Sequence, residues 1–341
     1  MAGRSSRREG GTGNDRIQAL VDQKLSEGLQ YEALQLYRGV VSRKSARGDD
    51  SSAMAIAEQG IGVLLREGYA DSATELGNTL MDILSSHELL PTEERLDLIK
   101  RINNKYEDAK RTASLAEEDR QAAAGVEQAG VANTGGEGMG GEKEEKAGGN
   151  VKTSRGIPSV GSLQGRFLKL AVGWTAARGP RLGGDPGLCA LLGRCLWCEG
   201  GKDRGMKYLV LGERPQELCD LIIQDVSDEK ARELWVAKGV LQFASKSSLR
   251  DANALLDAFQ RPKSEKPKGL LTFCGLLLKT CEYDAAPVFK KLLEVFRAEL
   301  SVDNALFGFV EKIGIVYFNV RLRPASMLDN IMGMLGGGTP K

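Results

Sequence analysis

From Ile17 onward, apolar residues recur at helical spacing. Ile17, Leu20, Val21 and Leu25 fall on one face, and Ala33, Leu36, Tyr37, Val40 and Val41 on the next. Ala57, Ile61, Leu64 and Leu65 give a third stripe, and Ala73, Leu76, Leu80, Ile83 and Leu84 a fourth. Leu96, Ile99, Ile102 and Tyr106 give a fifth. The spacing is i, i+3, i+4, i+7 and period-two alternation is nearly absent, which predicts helices and no strand-rich block. Gly28 and Gly68 close two of these helices. The polar break ARGDDSS separates two others, with Ser51 or Ser52 as N-cap. Pro91, followed by Glu93 and Glu94, opens the fifth. A helix with a single apolar stripe is marginal alone in water. Stacking antiparallel pairs buries every stripe, so the pattern predicts an all-α, irregular α-solenoid. REGYADSATEL resembles a tetratricopeptide-type turn, yet no strict 34-residue period runs through the chain.

The rhythm fades after about residue 112. The stretch from 113 to 158 is Gly-rich and poor in aliphatic bulk. Such composition buries too little apolar surface to offset conformational entropy, so a flexible insertion is expected there. The same reasoning makes 1–15 a disordered tail and 337–341 a short one. The chain thus divides into 16–112, the insertion, and 159–336.

Helical rhythm returns with Phe167, Leu170 and Trp174, then Leu188, Leu191, Leu192, Cys195 and Leu196. Further stripes are Tyr208, Leu209 and Leu211; Leu218, Leu221, Ile222 and Val226; Leu234, Val236, Val240, Leu241 and Phe243; and Ala254, Leu255 and Phe259. PKSEKPKG reads as a loop. LLTFCGLLLKTC is the most apolar run and reads as a central helix. Phe289, Leu292, Leu293 and Phe296 mark an amphipathic helix after it. LFGFVEKIGIVYFNV admits a helix or a short β-hairpin, and the spacing favours the helix.

Composition narrows the function classes. Lys+Arg is 47 against Asp+Glu 46, so bulk charge points to neither nucleic acid nor an anionic membrane as the main partner. No run of 18 apolar residues occurs, and the basic N-terminus MAGRSSRREGGTGND leads into no apolar segment. Neither membrane insertion nor a secretory leader is therefore expected, and the expected compartment is the cytosol. Six cysteines lie in the second half, mostly within helical stripes, and read as buried thiols. Cys195 and Cys198 form CLWC, but redox CxxC pairs sit at a strand-to-helix junction. Adding Cys189 still leaves a zinc site short of four ligands. The single histidine, His87, ends a helix pattern, and no catalytic partner is legible beside it. GGEGMGG lacks the strand and the Lys-Ser/Thr ending of a phosphate loop. No cofactor, metal or catalytic residue is expected, and the chain reads as a non-enzyme.

Against that background one set of segments is specific. LSEGLQYEALQLYRGVVSRK, with Tyr31-Glu32-Ala33 and Tyr37-Arg38, resembles the opening helical hairpin of the Golgi to ER traffic protein 4 family. YADSATELGNTLMDIL is similar to its second pair, and DPGLCALLGRCLW, ending in Leu196-Trp197, to its central segment. AKGVLQFASKSSLRDANALLDAF, LLTFCGLLLKTCEYDAAPVFKKLLEVF, the stretch 303–320 and the Gly-Met-Leu-Gly tail are similar to the rest. The likeness is colinear over about 17–110 and 160–336; the long Gly-rich insertion departs from it.

The resemblance implies a non-catalytic scaffold in post-translational delivery of tail-anchored membrane proteins to the endoplasmic reticulum. It implies a targeting ATPase as partner of the N-terminal half. For the C-terminal half it implies a ubiquitin-like-domain adaptor and, in animals, a BAG-family scaffold. The basic set Lys24, Arg38, Arg43, Lys44, Arg47 and Arg66 is then a candidate docking surface, with Tyr37, Arg38, Arg43 and Lys44 the expected ATPase contacts. Phe307, Phe309, Tyr317 and Phe318, followed by Met327, Leu328, Ile331, Met332, Met334 and Leu335, make an uncapped apolar end. The four aromatics are the expected adaptor contacts. The competing assignment is another helical-repeat scaffold subunit, of proteasome-lid or vesicle-coat type.

Overall fold

The structure is a computed structural model that describes residues 13–131, 158–261 and 269–322. Residues 1–12, most of the Gly-rich insertion, residues 262–268 of the PKSEKPKG loop and the terminal Met-rich segment lie outside the described residues. Among the described residues every regular element is helical. The chain forms two compact units, divided between Leu188 and Cys189 rather than at the insertion.

The first unit holds α1 (Gly13–Ser26), α2 (Gln30–Ala46), α3 (Asp50–Arg66), α4 (Ala70–Ser86), α5 (Glu93–Val131) and α6 (Val160–Arg178). α2 packs on α3 and α3 on α4; α6 packs on α4, and α5 on both α3 and α6. Most of the expected stripes form the core: Val21, Tyr37, Ile61, Leu64, Leu76, Leu80, Ile99, Ile102 and Tyr106 are buried and Leu34 joins them, whereas Leu20 and Leu170 stay exposed. Gly77 admits the Phe167 ring, to which a Cβ would stand 3.0 Å away. Gln164, fully buried, donates to Asn103 and Glu107 at 2.7 Å each and accepts from Lys110 at 3.1 Å, which satisfies its amide and ties α6 to α5.

The turns of this unit repeat. Gly28, Gly48 and Gly68 sit twenty positions apart with φ of 74°, 77° and 83°, and Glu88, at φ 53°, occupies the fourth place. In each turn the left-handed residue donates to the carbonyl three back and its successor to the carbonyl five back, as in Gly48 to Ser45 at 2.8 Å and Asp49 to Lys44 at 3.0 Å. This is the Schellman closure, which satisfies the last carbonyls of a helix. It also moves an expected cap. Asp49 emerges directly from the turn and accepts from Ser52 N at 3.3 Å, so neither Ser51 nor Ser52 is the N-cap of α3.

The flexible insertion expected from 113 begins as helix instead, since α5 runs on to Val131. Thr112, Ala113, Ala116 and the charged pairs around them are good or tolerated helix formers, and i, i+3 ion pairs such as Arg111–Asp108 support an exposed helix without a core behind it.

The second unit begins within α7 (Pro186–Cys198) and continues with α8 (Lys202–Leu211), α9 (Pro215–Asp225), α10 (Glu229–Ala244), α11 (Leu249–Gln260), α12 (Gly269–Glu282), α13 (Ala286–Val295), α14 (Arg297–Leu300) and α15 (Asn304–Phe318). α10 is the hub, packed on α8, α9, α11, α12 and α15, and Val236, Ala237, Val240, Leu241 and Phe243 on it are fully buried. The same Schellman turn recurs at Gly200, Glu213, Ser247 and Asp284. α7 and α8 touch backbone to backbone. A Cβ on Gly205 would lie 2.8 Å from both Gly193 O and Trp197 N. The segment that admitted a β-hairpin is α15, a continuous helix capped by Asp303 and ended by Asn319 in the left-handed region.

Candidate functional site

Two surfaces, one in each unit, carry the residues that the sequence singled out. On the first, Tyr37 belongs to the core. It is fully enclosed, its hydroxyl donates to Gln18 at 3.1 Å, and burial pushes its pKa up to about 12. Its position in the second apolar stripe already marked it as core. Arg38 is half-buried and 3.8 Å from Glu75. Lys44 is held by Asp49 at 2.8 Å, and that partner lowers the Asp49 pKa. Arg43 and Arg47 are exposed and make no ion pair among the described residues. At about 100° per residue, Arg38 and Arg43 stand about 140° apart around α2, whereas Arg43 and Arg47 stand only about 40° apart. The basic patch is therefore Arg43 with Arg47 at the end of α2, where cations also complement the helix dipole. Arg47 was legible as a neighbour of Arg43 four positions on, a spacing that puts two side chains on one face.

The histidine does find partners. His87 Nδ1 lies 2.9 Å from the Asp50 carboxylate, its Nε2 lies 3.4 Å from Ser45 Oγ, and Ser45 Oγ donates to Asp50 at 3.1 Å. The residue types are those of a hydrolytic triad, but the serine proton goes to the carboxylate and Ser45 is only 6% exposed. A nucleophile has to reach a substrate. The cluster instead joins the ends of α2 and α4 to the start of α3.

A groove of about 730 Å³ opens between α1, α3 and α5 and reaches Val160. Gly62, Val63, Ala109, Ala113 and Ala116 line it, with Arg66, Lys105 and Asp108 as its charges. Lys105 is already engaged by the Glu58 carbonyl at 3.0 Å, and no nucleophile–base pair lines the groove. Among the described residues no group of three His, Cys, Asp or Glu side chains is placed to hold a metal. No helix among them is long and apolar enough to cross a membrane.

On the second unit, the four aromatics are half-buried rather than open. Phe318 stacks on Phe289 with centroids 4.7 Å apart, and Phe309, Tyr317 and Phe318 pack against the core. The Tyr317 hydroxyl is enclosed, and burial raises its pKa. The apolar surface left open belongs to aliphatic neighbours. Ile315 and Val316 on α15 are each 47% exposed, and Val288, Val295 and Val302 lie open on the preceding elements. Sequence gives these residues little prominence, because the aromatics beside them dominate the local pattern. The Met327–Leu335 segment lies outside the described residues.

Comparison with known proteins gives one answer. The sequence profile of the family described as Golgi to ER traffic protein 4 matches residues 48–336. The Golgi to ER traffic protein 4 homolog of Dictyostelium discoideum is 22% identical, over 95% of this chain and 91% of its own length. Protein GET4 of Arabidopsis thaliana is 24% identical, over 92% and 93%. The human Golgi to ER traffic protein 4 homolog is 21% identical, over 98% and 90%. A crystal structure of C. therm. Get4 superposes with a TM-score of 0.67 at 22% identity, covering 95% of this chain and 96% of that one, which establishes the shared fold.

Proposed function

Because the chain belongs to the Golgi to ER traffic protein 4 family, we propose that it is a cytosolic, non-catalytic scaffold in the delivery of tail-anchored membrane proteins to the endoplasmic reticulum. In this reading the first unit docks the targeting ATPase and the second holds a ubiquitin-like-domain adaptor. Where the organism has one, a BAG-family scaffold joins the second unit. The observation that carries the proposal is the presence of two unlike open surfaces, one in each unit. One surface is basic, with Arg43 and Arg47 unpaired among the described residues, and suits an acidic protein face. The other is apolar, with Ile315, Val316 and the half-buried Phe307 and Phe309 on one helix, and suits a stable hydrophobic interface.

Removing the chain beyond Asp303 is a poor test, because Leu306, Val310 and Ile313 on α15 are fully buried core. Point substitutions at exposed positions keep the fold. Arg43→Glu/Arg47→Glu should slow association with the ATPase, most at low salt, and leave adaptor binding intact. Ile315→Asp/Val316→Asp should release the adaptor and leave the ATPase contact intact. Both bindings are read by surface plasmon resonance with purified partners. Unchanged binding in both double variants, with both folded, refutes the assignment of surfaces; failure of the wild-type chain to bind either partner refutes the function.

A further inference from the structure

α15 raises a problem of register. Its sequence, NALFGFVEKIGIVYF, carries charge only at Glu311 and Lys312, so it is apolar nearly all round. Leu306, Val310, Ile313 and Gly314 are the buried positions; Gly314 faces the Phe289 ring, but burial of the three aliphatics is non-directional, and other rotations or a shift of one turn would bury side chains of comparable size. Packing alone therefore attaches this helix more firmly than it aligns it.

A directional contact exists at its start. Lys238, on the hub helix α10, is only 9% exposed. Its ammonium lies 2.6 Å from Asp303 and 4.7 Å from the centroid of the Trp235 ring. Asp303 also caps α15, accepting from Ala305 N at 2.8 Å. One carboxylate thus fixes the first turn of α15 and binds that turn to a point on α10. The Lys238 charge draws the Asp303 pKa down, which keeps the carboxylate ionised for both tasks. A second carboxylate, Asp203 on α8, stands 3.8 Å from the ammonium, so Lys238 keeps a partner if Asp303 is lost. Only the Lys238 end of this pair is buried, the Asp303 carboxylate being half-buried, so desolvation offsets part of the attraction and the net stability gained is small, but every register that breaks the pair leaves a buried ammonium short of its nearest partner. At the far end Phe318 stacks on Phe289, a contact whose geometry tolerates sliding.

We infer that Lys238 and Asp303 are positioning residues that set the register of α15 on α10, and through it the placement of the exposed Ile315 and Val316. The functional consequence rests on the adaptor role proposed above for that face. Neither residue touches the adaptor; each acts through the helix it aligns.

The test uses the full chain with Lys238→Met, Asp303→Ser and the double variant. Serine retains the cap for the Ala305 amide but removes the charge. Urea midpoints, adaptor affinity and amide exchange across residues 304–318 are measured on each. Both single variants should bind adaptor about tenfold more weakly, the loss expected of one interface anchor. Lys238→Met leaves the Asp303 carboxylate without its lysine and should lower the midpoint; the double variant holds neither charge, so its midpoint should recover to that of wild type while its affinity stays low and α15 exchanges faster. A role in stability alone predicts that affinity recovers with the midpoint, and that result overturns the inference. If the wild-type chain binds no adaptor, the proposed function fails on its own. Amide exchange then decides the register: faster exchange in a double variant of normal midpoint supports it, and unchanged exchange overturns it.

Discussion

Replacing Gly205 by alanine should destabilise the second unit, although the same change elsewhere in that unit should stabilise it. Gly205 lies inside α8, where alanine is favoured over glycine by about 1 kcal/mol. Its new Cβ, however, would meet Gly193 O and Trp197 N at 2.8 Å and Trp197 Cα at 2.9 Å. All three are backbone atoms of α7, so no side chain can turn aside and the helices have to separate. Overpacking of this kind costs about 1–3 kcal/mol, and an unyielding backbone puts the case near the upper end. The net expectation is a loss of about 1–2 kcal/mol. At Gly308, inside α15, no atom beyond the chain neighbours and the adjacent turns of the helix's own backbone lies within 4 Å of the place a Cβ would take, so Gly308→Ala should gain about 0.5–1 kcal/mol. Urea unfolding followed by tryptophan fluorescence measures both. A Trp174→Phe background confines the signal to Trp197 and Trp235 in the second unit. With a slope of about 2 kcal/mol per molar, the two midpoints should fall about 1 M apart on opposite sides of the parent. Equal midpoints for Gly205→Ala and Gly308→Ala would refute the close approach of α7 and α8.

Arg101 grips Glu58 through two hydrogen bonds of 2.9 Å and holds its carboxyl below the ordinary 4.5. A depressed folded value means that the contribution is present above pH 4.5 and disappears as pH falls through the folded value. Glu58→Gln should therefore flatten the acid limb of the stability profile below about pH 4.5, and an unchanged limb in urea titrations at several pH values would count against the pair. Thiol labelling gives a separate check on the second unit. Cys198 is exposed while the other five cysteines are buried, and enclosure pushes the Cys274 thiol up to about 12. The native chain should take up one equivalent of a thiol reagent promptly and the rest only on unfolding; prompt loss of more than one thiol would contradict the packing of α7, α9 and α12.

The helical architecture was legible because its signal is redundant. Each stripe repeats the same period over several turns, so single misplaced positions such as the exposed Leu20 and Leu170 do not blur it, and most of the residues that carry it are buried. The turns were only half legible. Gly28 and Gly68 were visible as stops, but the twenty-residue spacing through Gly48 to Glu88 was hidden, because a glutamate at φ 53° gives no composition signal. α5 outran the expected boundary at 112 because an exposed helix rests on propensity and ion pairs, and an apolar stripe is not needed. The candidate surfaces were harder. Tyr37, Arg38, Arg43 and Lys44 lie close in sequence, yet one is core and two are held by Glu75 and Asp49. Which charges remain free depends on acids contributed by other turns and helices, and no local pattern records that. For the same reason the convergence of Ser45, Asp50 and His87 was invisible until the ends of three helices were placed together.

The seat of Phe167 against Gly77 has a temporal side. α1 to α4 close through neighbours in sequence, so they can form as soon as they leave the ribosome. The helix that covers α4 does not exist at that moment. Between Ser86 and Val160 lie more than seventy residues. At the usual synthesis rates of about 5–20 residues per second, the exposed face of α4 waits on the order of 4–15 s for its cover. During that interval the part of α4 that α6 later covers, Gly77 included, stands open. Any factor that binds that face in the interval has to release it before α6 can pack on α4.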